Sequence, residues 1–68
     1  MLKQMERPAH ITDLHVQRGE QMRMIVQSDI ATRGLSFDAS VESLANYLGV
    51  EKRTITLAIA IANEWGQS

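Results

Sequence analysis

The chain has 68 residues, a formal net charge of -1 and no cysteine. This length allows one small domain that buries only about 60% of its unfolded surface, so we expect a modest stability that dimerisation would raise. The lack of cysteine excludes disulfides and thiolate metal ligands, and no apolar run reaches the roughly 18 residues that a membrane span needs.

The first ten residues are polar, include Pro8 and follow no sustained period. We therefore predict a flexible arm over 1–10, with a strand that orders only against a partner as the alternative, and a single domain over 11–68. Charged residues and the proline stand where a secretory signal would have its apolar core. We expect a cytoplasmic protein.

A helix is the favoured prediction from Thr12 onwards, with Thr12 or Asp13 as its N-cap and an interruption at Gly19. Its buried stripe would consist of Met22, Ile25, Val26 and Ile30. A β-hairpin stays open as the alternative, because residues 11–16 and 22–26 also fit strands around a turn at Gly19.

A second helix should follow after Gly34, which can close the first helix in the left-handed conformation. Two apolar residues, Leu35 and Phe37, would pack beneath that stop. The second helix is predicted over 41–48, with Ser40 as its N-cap and Asp38 as the competing cap.

A tight turn and a third helix complete the predicted all-α fold. Gly49 permits the positive φ that ends the second helix. The third helix should begin near Glu51 or Lys52, where a negative charge suits the helix N-terminus, and it should continue to Trp65 with Gly66 as its stop.

The apolar spacing over 41–60 is typical of two short helices joined by a tight turn. Seven residues carry the pattern: Leu44, Ala45, Leu48, Gly49, Val50, Ile55 and Ala58. This segment resembles the helix-turn-helix superfamily of small bacterial and phage DNA-binding transcription regulators. The resemblance implies that Ala45 is the contact between the two helices, that Gly49 makes the turn and that the other five residues are buried.

The resemblance also implies that the helix after the turn enters the major groove of DNA and contacts it with its early exposed residues. Arg53 would form a bidentate pair with guanine and Lys52 would hold a phosphate, although both could equally be solvated charges. The expected DNA contacts are Glu51, Lys52, Arg53, Thr56, Leu57 and Tyr47. Residues 34–68 carry only two cations against four carboxylates. DNA binding would therefore depend on where these two cations lie, because the net charge of this part of the chain is negative.

The end of the third helix is more apolar than a groove-reading helix requires, because residues 57–62 read Leu-Ala-Ile-Ala-Ile-Ala. This composition predicts a second buried surface formed by Leu57, Ile61 and Trp65. Its partner would be either the first helix or a second copy of the chain in a symmetric homodimer.

We therefore predict a sequence-specific DNA-binding transcription regulator, a homodimeric repressor that blocks a promoter on double-stranded DNA without a cofactor. The alternative is a helical protein-interaction module, an adaptor or a phage-encoded inhibitor that binds a host protein through the apolar strip. We expect no enzymatic activity, since the sequence shows neither a nucleophile triad nor a Gly-rich phosphate loop. No metal site is expected, because His10 and His15 lack a carboxylate at ligand spacing.

Overall fold

The computed structural model describes residues 7–66, and these form three α-helices: α1 (Asp13–Arg33), α2 (Phe37–Leu48) and α3 (Lys52–Trp65). The prediction of a small all-α domain is confirmed. The alternative of a hairpin over residues 11–26 is wrong, and a strand at the start of the chain falls largely outside the described residues. The arm predicted over 1–10 and the end of the predicted domain fall partly outside the described residues. No helix within residues 7–66 has both the length and the apolar character of a membrane span.

Two reciprocal hydrogen bonds between Thr12 and His15 start α1. The backbone N–H of His15 donates to Thr12 Oγ1 over 3.4 Å, and the backbone N–H of Thr12 donates to His15 Nδ1 over 3.1 Å. This capping box satisfies two donors that a helix start would otherwise leave free. Of the two predicted caps, Thr12 is the observed one, while Asp13 accepts a 2.7 Å bond from Arg7.

Gly19 does not interrupt α1, contrary to the prediction from sequence. The residue is buried against α3, where a Cβ would overlap the carbonyl oxygen of Ala58 and lie 2.9 Å from Cβ of Ala62. Glycine is tolerated inside a helix when two backbones need to approach closely. The alternative of a hairpin is wrong because it places a turn at Gly19, where the chain is helical and packs against α3.

The side of α1 that faces the core contains Val16, Gly19 and Val26. Met22 and Ile30 are half-buried beside it, whereas Ile25 is exposed, so one member of the predicted stripe lies on the outside. Gly34 ends α1 as predicted, with a left-handed φ of 69°.

The second helix begins four residues earlier than predicted, at Phe37. Its N-cap is Ser36, whose Oγ accepts a 3.1 Å hydrogen bond from the backbone N–H of Ala39. Ser36 offers the same capping chemistry as Ser40 one turn earlier. The predicted caps Ser40 and Asp38 are therefore wrong, and Phe37 is nearly half exposed at the first helical position.

Ser40 lies inside α2 and is fully buried. Its Oγ is 3.4 Å from the carbonyl oxygen of Val26 and 3.3 Å from Oδ2 of Asp29, so it can donate to either of these acceptors on α1. A buried hydroxyl without such a partner would destabilise the fold. Ser40 therefore connects α2 to α1.

One apolar core joins the three helices. Its buried members are Val26, Val41, Leu44, Ala45, Ile55 and Ile59. The contact between α1 and α3 is the most extensive, and α2 packs against both. The helix that follows the turn is thus supported mainly by α1.

Candidate nucleic-acid interface

A turn over residues 49–51 joins α2 to α3. Gly49 has a φ of 73°, and its backbone N–H donates to the carbonyl of Asn46 over 3.3 Å. The backbone N–H of Val50 donates to the carbonyl of Ala45 over 3.0 Å. These two bonds form a Schellman motif, which satisfies carbonyls that the end of a helix leaves free. Gly49 has the conformation that the sequence predicts for it.

The third helix has the predicted limits. Glu51 is its N-cap, although its carboxylate makes no capping hydrogen bond within the described chain. The helix ends at Trp65, and the backbone N–H of Gly66 donates to the carbonyl of Ala62 over 2.7 Å. Gly66 is in an extended conformation, so this stop differs from the left-handed stops at the other two helices.

One side of α3 is buried and the opposite side is open. Ile55, Ile59 and Ala62 face the core. The exposed residues on the opposite side, which we call the outer face, are Arg53, Thr56, Leu57, Ala60, Asn63 and Glu64. Leu57 is 56% exposed near the middle of this face. Asn63 lies at the edge of this face, where Arg23 of α1 donates to its Oδ1 over 2.7 Å, and all six residues are exposed to solvent.

All six residues expected at DNA are exposed. Five of them lie at the N-cap and in the first two turns of α3: Glu51, Lys52, Arg53, Thr56 and Leu57. Tyr47 is 86% exposed in the last turn of α2, two residues before Gly49. The hydroxyl of Thr56 donates to the carbonyl of Lys52 over 2.8 Å, so only its oxygen lone pairs remain for another partner.

Lys52 is engaged with a residue that the sequence did not connect to it. Its Nζ donates to Oδ1 of Asp38 over 2.8 Å, and both side chains are exposed to solvent. This hydrogen bond raises the pKa of Lys52 above its ordinary value, and the charges of Asp38 and Glu42 act in the same direction. Lys52 is therefore a fully charged side chain whose charge is already balanced by Asp38.

Three of the five other cations of residues 7–66 are engaged as well. Side-chain oxygens elsewhere in the chain accept hydrogen bonds from Arg7, Arg23 and Arg33. Within the described residues, Arg18 on α1 and Arg53 on α3 are the cations that make neither a hydrogen bond nor an ion pair. Arg53 is therefore the unpaired cation of the outer face within residues 7–66.

Two positions that the resemblance implies to be buried are open to solvent. Leu48 is 47% exposed and Val50 is 40% exposed, and they flank Gly49 at the turn. Leu44, Ala45 and Ile55 are buried as implied. Ala58 is half-buried, and it contacts α1 at Gly19.

The apolar residues predicted as an interface are covered to different degrees. Ile61 and Trp65 are half-buried within one chain, whereas Leu57 is mostly exposed. Trp65 lines a cleft of about 280 Å³ together with α1 residues that include Val16 and Gln17. Of the two predicted partners for this surface, α1 is the one next to Trp65.

Among residues 7–66, histidine and carboxylate side chains form no cluster of three suited to a metal ion. Comparisons with family models, curated proteins and solved structures found no match. The resemblance to helix-turn-helix regulators therefore remains a prediction from the sequence of α2, the turn and α3.

Proposed function

We propose that this chain is a transcription regulator that binds duplex DNA with the first two turns of α3. The observation that carries the proposal is the open outer face directly after the Schellman turn, where Arg53 has no partner in the described chain. A helix presented after a short turn fits the major groove, and its first residues are then closest to the bases.

The side chains on this surface suit different parts of DNA. Arg53 can donate two parallel hydrogen bonds to O6 and N7 of guanine, a contact worth roughly 1–3 kcal/mol of discrimination. Thr56 can accept a hydrogen bond from a base amino group, while Leu57 can pack on a thymine methyl. Tyr47 is exposed, and its hydroxyl can donate a hydrogen bond to a phosphate oxygen.

The proposal includes a homodimer that represses by covering a promoter. A domain of this size contacts few base pairs, and two copies related by a two-fold axis would read both halves of a palindromic site. Occupancy alone is sufficient for this kind of repression, so the mechanism needs no ligand. Sedimentation of the free protein tests the dimer independently of DNA.

Fluorescence anisotropy with a labelled random duplex of about 20 base pairs tests the proposal over salt concentrations from about 50 to 200 mM. The logarithm of the affinity should fall linearly with the logarithm of the salt concentration. A random duplex presents no fixed guanine to Arg53, so in this assay its guanidinium would act through the backbone phosphates. Arg53→Ala should therefore weaken binding and reduce the slope by up to about 0.9, the value expected for one lost phosphate neutralisation.

Arg18→Ala is the matched control, because it removes an identical charge from an exposed and unpaired position on α1. Its affinity should stay close to that of the unmodified protein. An equal loss in both variants would show that only net charge matters. The assignment of Arg53 to the binding surface would then be wrong.

The second candidate is a protein-interaction module, and the exposure of Leu57 favours it. An apolar side chain that is 56% exposed beside a single unbalanced cation also suits a protein surface. If the folded chain shows no affinity for random duplex even at the lowest salt concentration, the DNA proposal is wrong and this candidate replaces it.

A further inference from the structure

An exposed carboxylate on α2 neutralises the lysine at the start of α3. Asp38 is in the first turn of α2, and Lys52 is the first residue of α3. Their side chains meet at 2.8 Å across the two helices. On the proposed DNA-binding surface, Lys52 is the side chain expected to hold a phosphate. Asp38 is bonded to Nζ of Lys52, the atom that this phosphate would contact.

We propose that Asp38 competes with DNA phosphate for the ammonium group of Lys52 and thereby lowers the affinity of the chain for DNA. This inference rests on the proposed function. The three N–H donors of an ammonium group would permit bonds to a carboxylate and a phosphate at the same time. Charge opposes this arrangement, because two anions around one cation repel each other and only one of them is neutralised.

The competition is possible because the pair is exposed. Surface ion pairs are weak, since solvent and salt screen them. A phosphate can therefore displace Asp38, but binding then has to replace an existing interaction and leaves a carboxylate beside the DNA backbone. Glu42 lies one turn further along α2 and adds to the negative potential at Lys52.

Asp38→Asn tests the competition, since it keeps the shape of the side chain and removes its charge. Its affinity for the random duplex should rise roughly two- to fivefold, which corresponds to the release of one surface ion pair. The salt slope should become steeper by at most about 0.9, because Lys52 can then neutralise a phosphate in every complex and not only in those where Asp38 has been displaced. Asp38 is exposed, so the helical circular dichroism spectrum should not change.

Glu42→Gln is the matched control, because it removes one negative charge from α2 without removing the hydrogen bond to Lys52. Its gain in affinity should be smaller than that of Asp38→Asn. A second control repeats Asp38→Asn in a Lys52→Met background. The gain should be smaller there, because no lysine is released.

Three results would contradict the inference in distinguishable ways. Equal gains with and without Lys52 would show that Asp38 only repels DNA over a distance, and competition would be wrong. DNA binding by the unmodified protein without a gain in Asp38→Asn would overturn the role of Asp38 alone. A lack of salt-dependent binding in the unmodified protein and in all variants would overturn the proposed function together with this inference.

Discussion

The α1–α3 crossing and the segment formed by α2, the turn and α3 hold their helices together in different ways. At the crossing, backbone approaches backbone, with Gly19 against Ala58 and Ala62. The Nη1 atom of Arg23 donates to Oδ1 of Asn63 over 2.7 Å in the same contact. At the turn, backbone hydrogen bonds and the conformation of Gly49 position the chain, while Leu48 and Val50 remain half exposed.

The contact with α1 therefore stabilises α3, whereas the turn leaves the first residues of α3 exposed. The segment with the recognisable sequence pattern positions α3 through local backbone geometry, and it leaves the start of α3 open to a partner. The contact that holds the buried side of α3 is made by α1, whose sequence showed no motif. We therefore expect stability to depend most strongly on the crossing, and binding on the exposed residues after the turn.

The largest effect should come from Gly19→Ala. Overpacking costs about 1–3 kcal/mol, and the upper end, about 3 kcal/mol, applies here because the added Cβ would overlap the backbone carbonyl of Ala58, which cannot rotate away. A gain of roughly 1 kcal/mol in helix propensity offsets part of this cost. We expect the free energy of unfolding in urea to fall by about 2 kcal/mol, with Gln21→Ala on the exposed side of α1 as the unaffected control. An unchanged stability of Gly19→Ala would show that the crossing is not close.

Gly49→Ala should have an intermediate effect, a loss of about 1 kcal/mol in the free energy of unfolding. No other atom would contact the added methyl group, so the cost arises from the positive φ alone. Gly34→Ala provides the comparison, because Gly34 also has a positive φ and open space around it. Thermal unfolding should show similar losses for the two variants. A much larger loss in Gly49→Ala than in Gly34→Ala would show that Gly49 stabilises the fold by more than its positive φ accounts for.

Val50→Thr should have the smallest effect, about 0.5 kcal/mol or less, because the new hydroxyl can reach water at this half-exposed position. The same substitution at the buried Val41 is the reference, where taking a hydroxyl out of water should cost about 1–3 kcal/mol. Chemical unfolding of the two variants compares them directly. Equal losses would indicate that Val50 is buried, as the resemblance implies.

Some parts of the fold and of the candidate site were predictable from sequence, and others were not. The limits of α3 and the exposed positions at its start were predicted, since they depend on local period and on glycine. The engagement of Lys52 was not, because its partner Asp38 is 14 residues away and was interpreted as a helix cap. Arg53 and Lys52 are neighbours of similar charge, and the sequence does not indicate which of them remains unpaired.

The sequence by itself determined the left-handed stops at Gly34 and Gly49 and limited the N-cap of α1 to Thr12 or Asp13, features whose causes lie within one helical turn. A cap or a positive φ depends on a side chain and on backbone groups only a few residues away. Only the tertiary structure decided that Gly19 is a helix contact and that Ser40 is a buried link between helices. Burial and charge pairing are set by residues that are distant in the chain, and their proximity exists only once the three helices have packed.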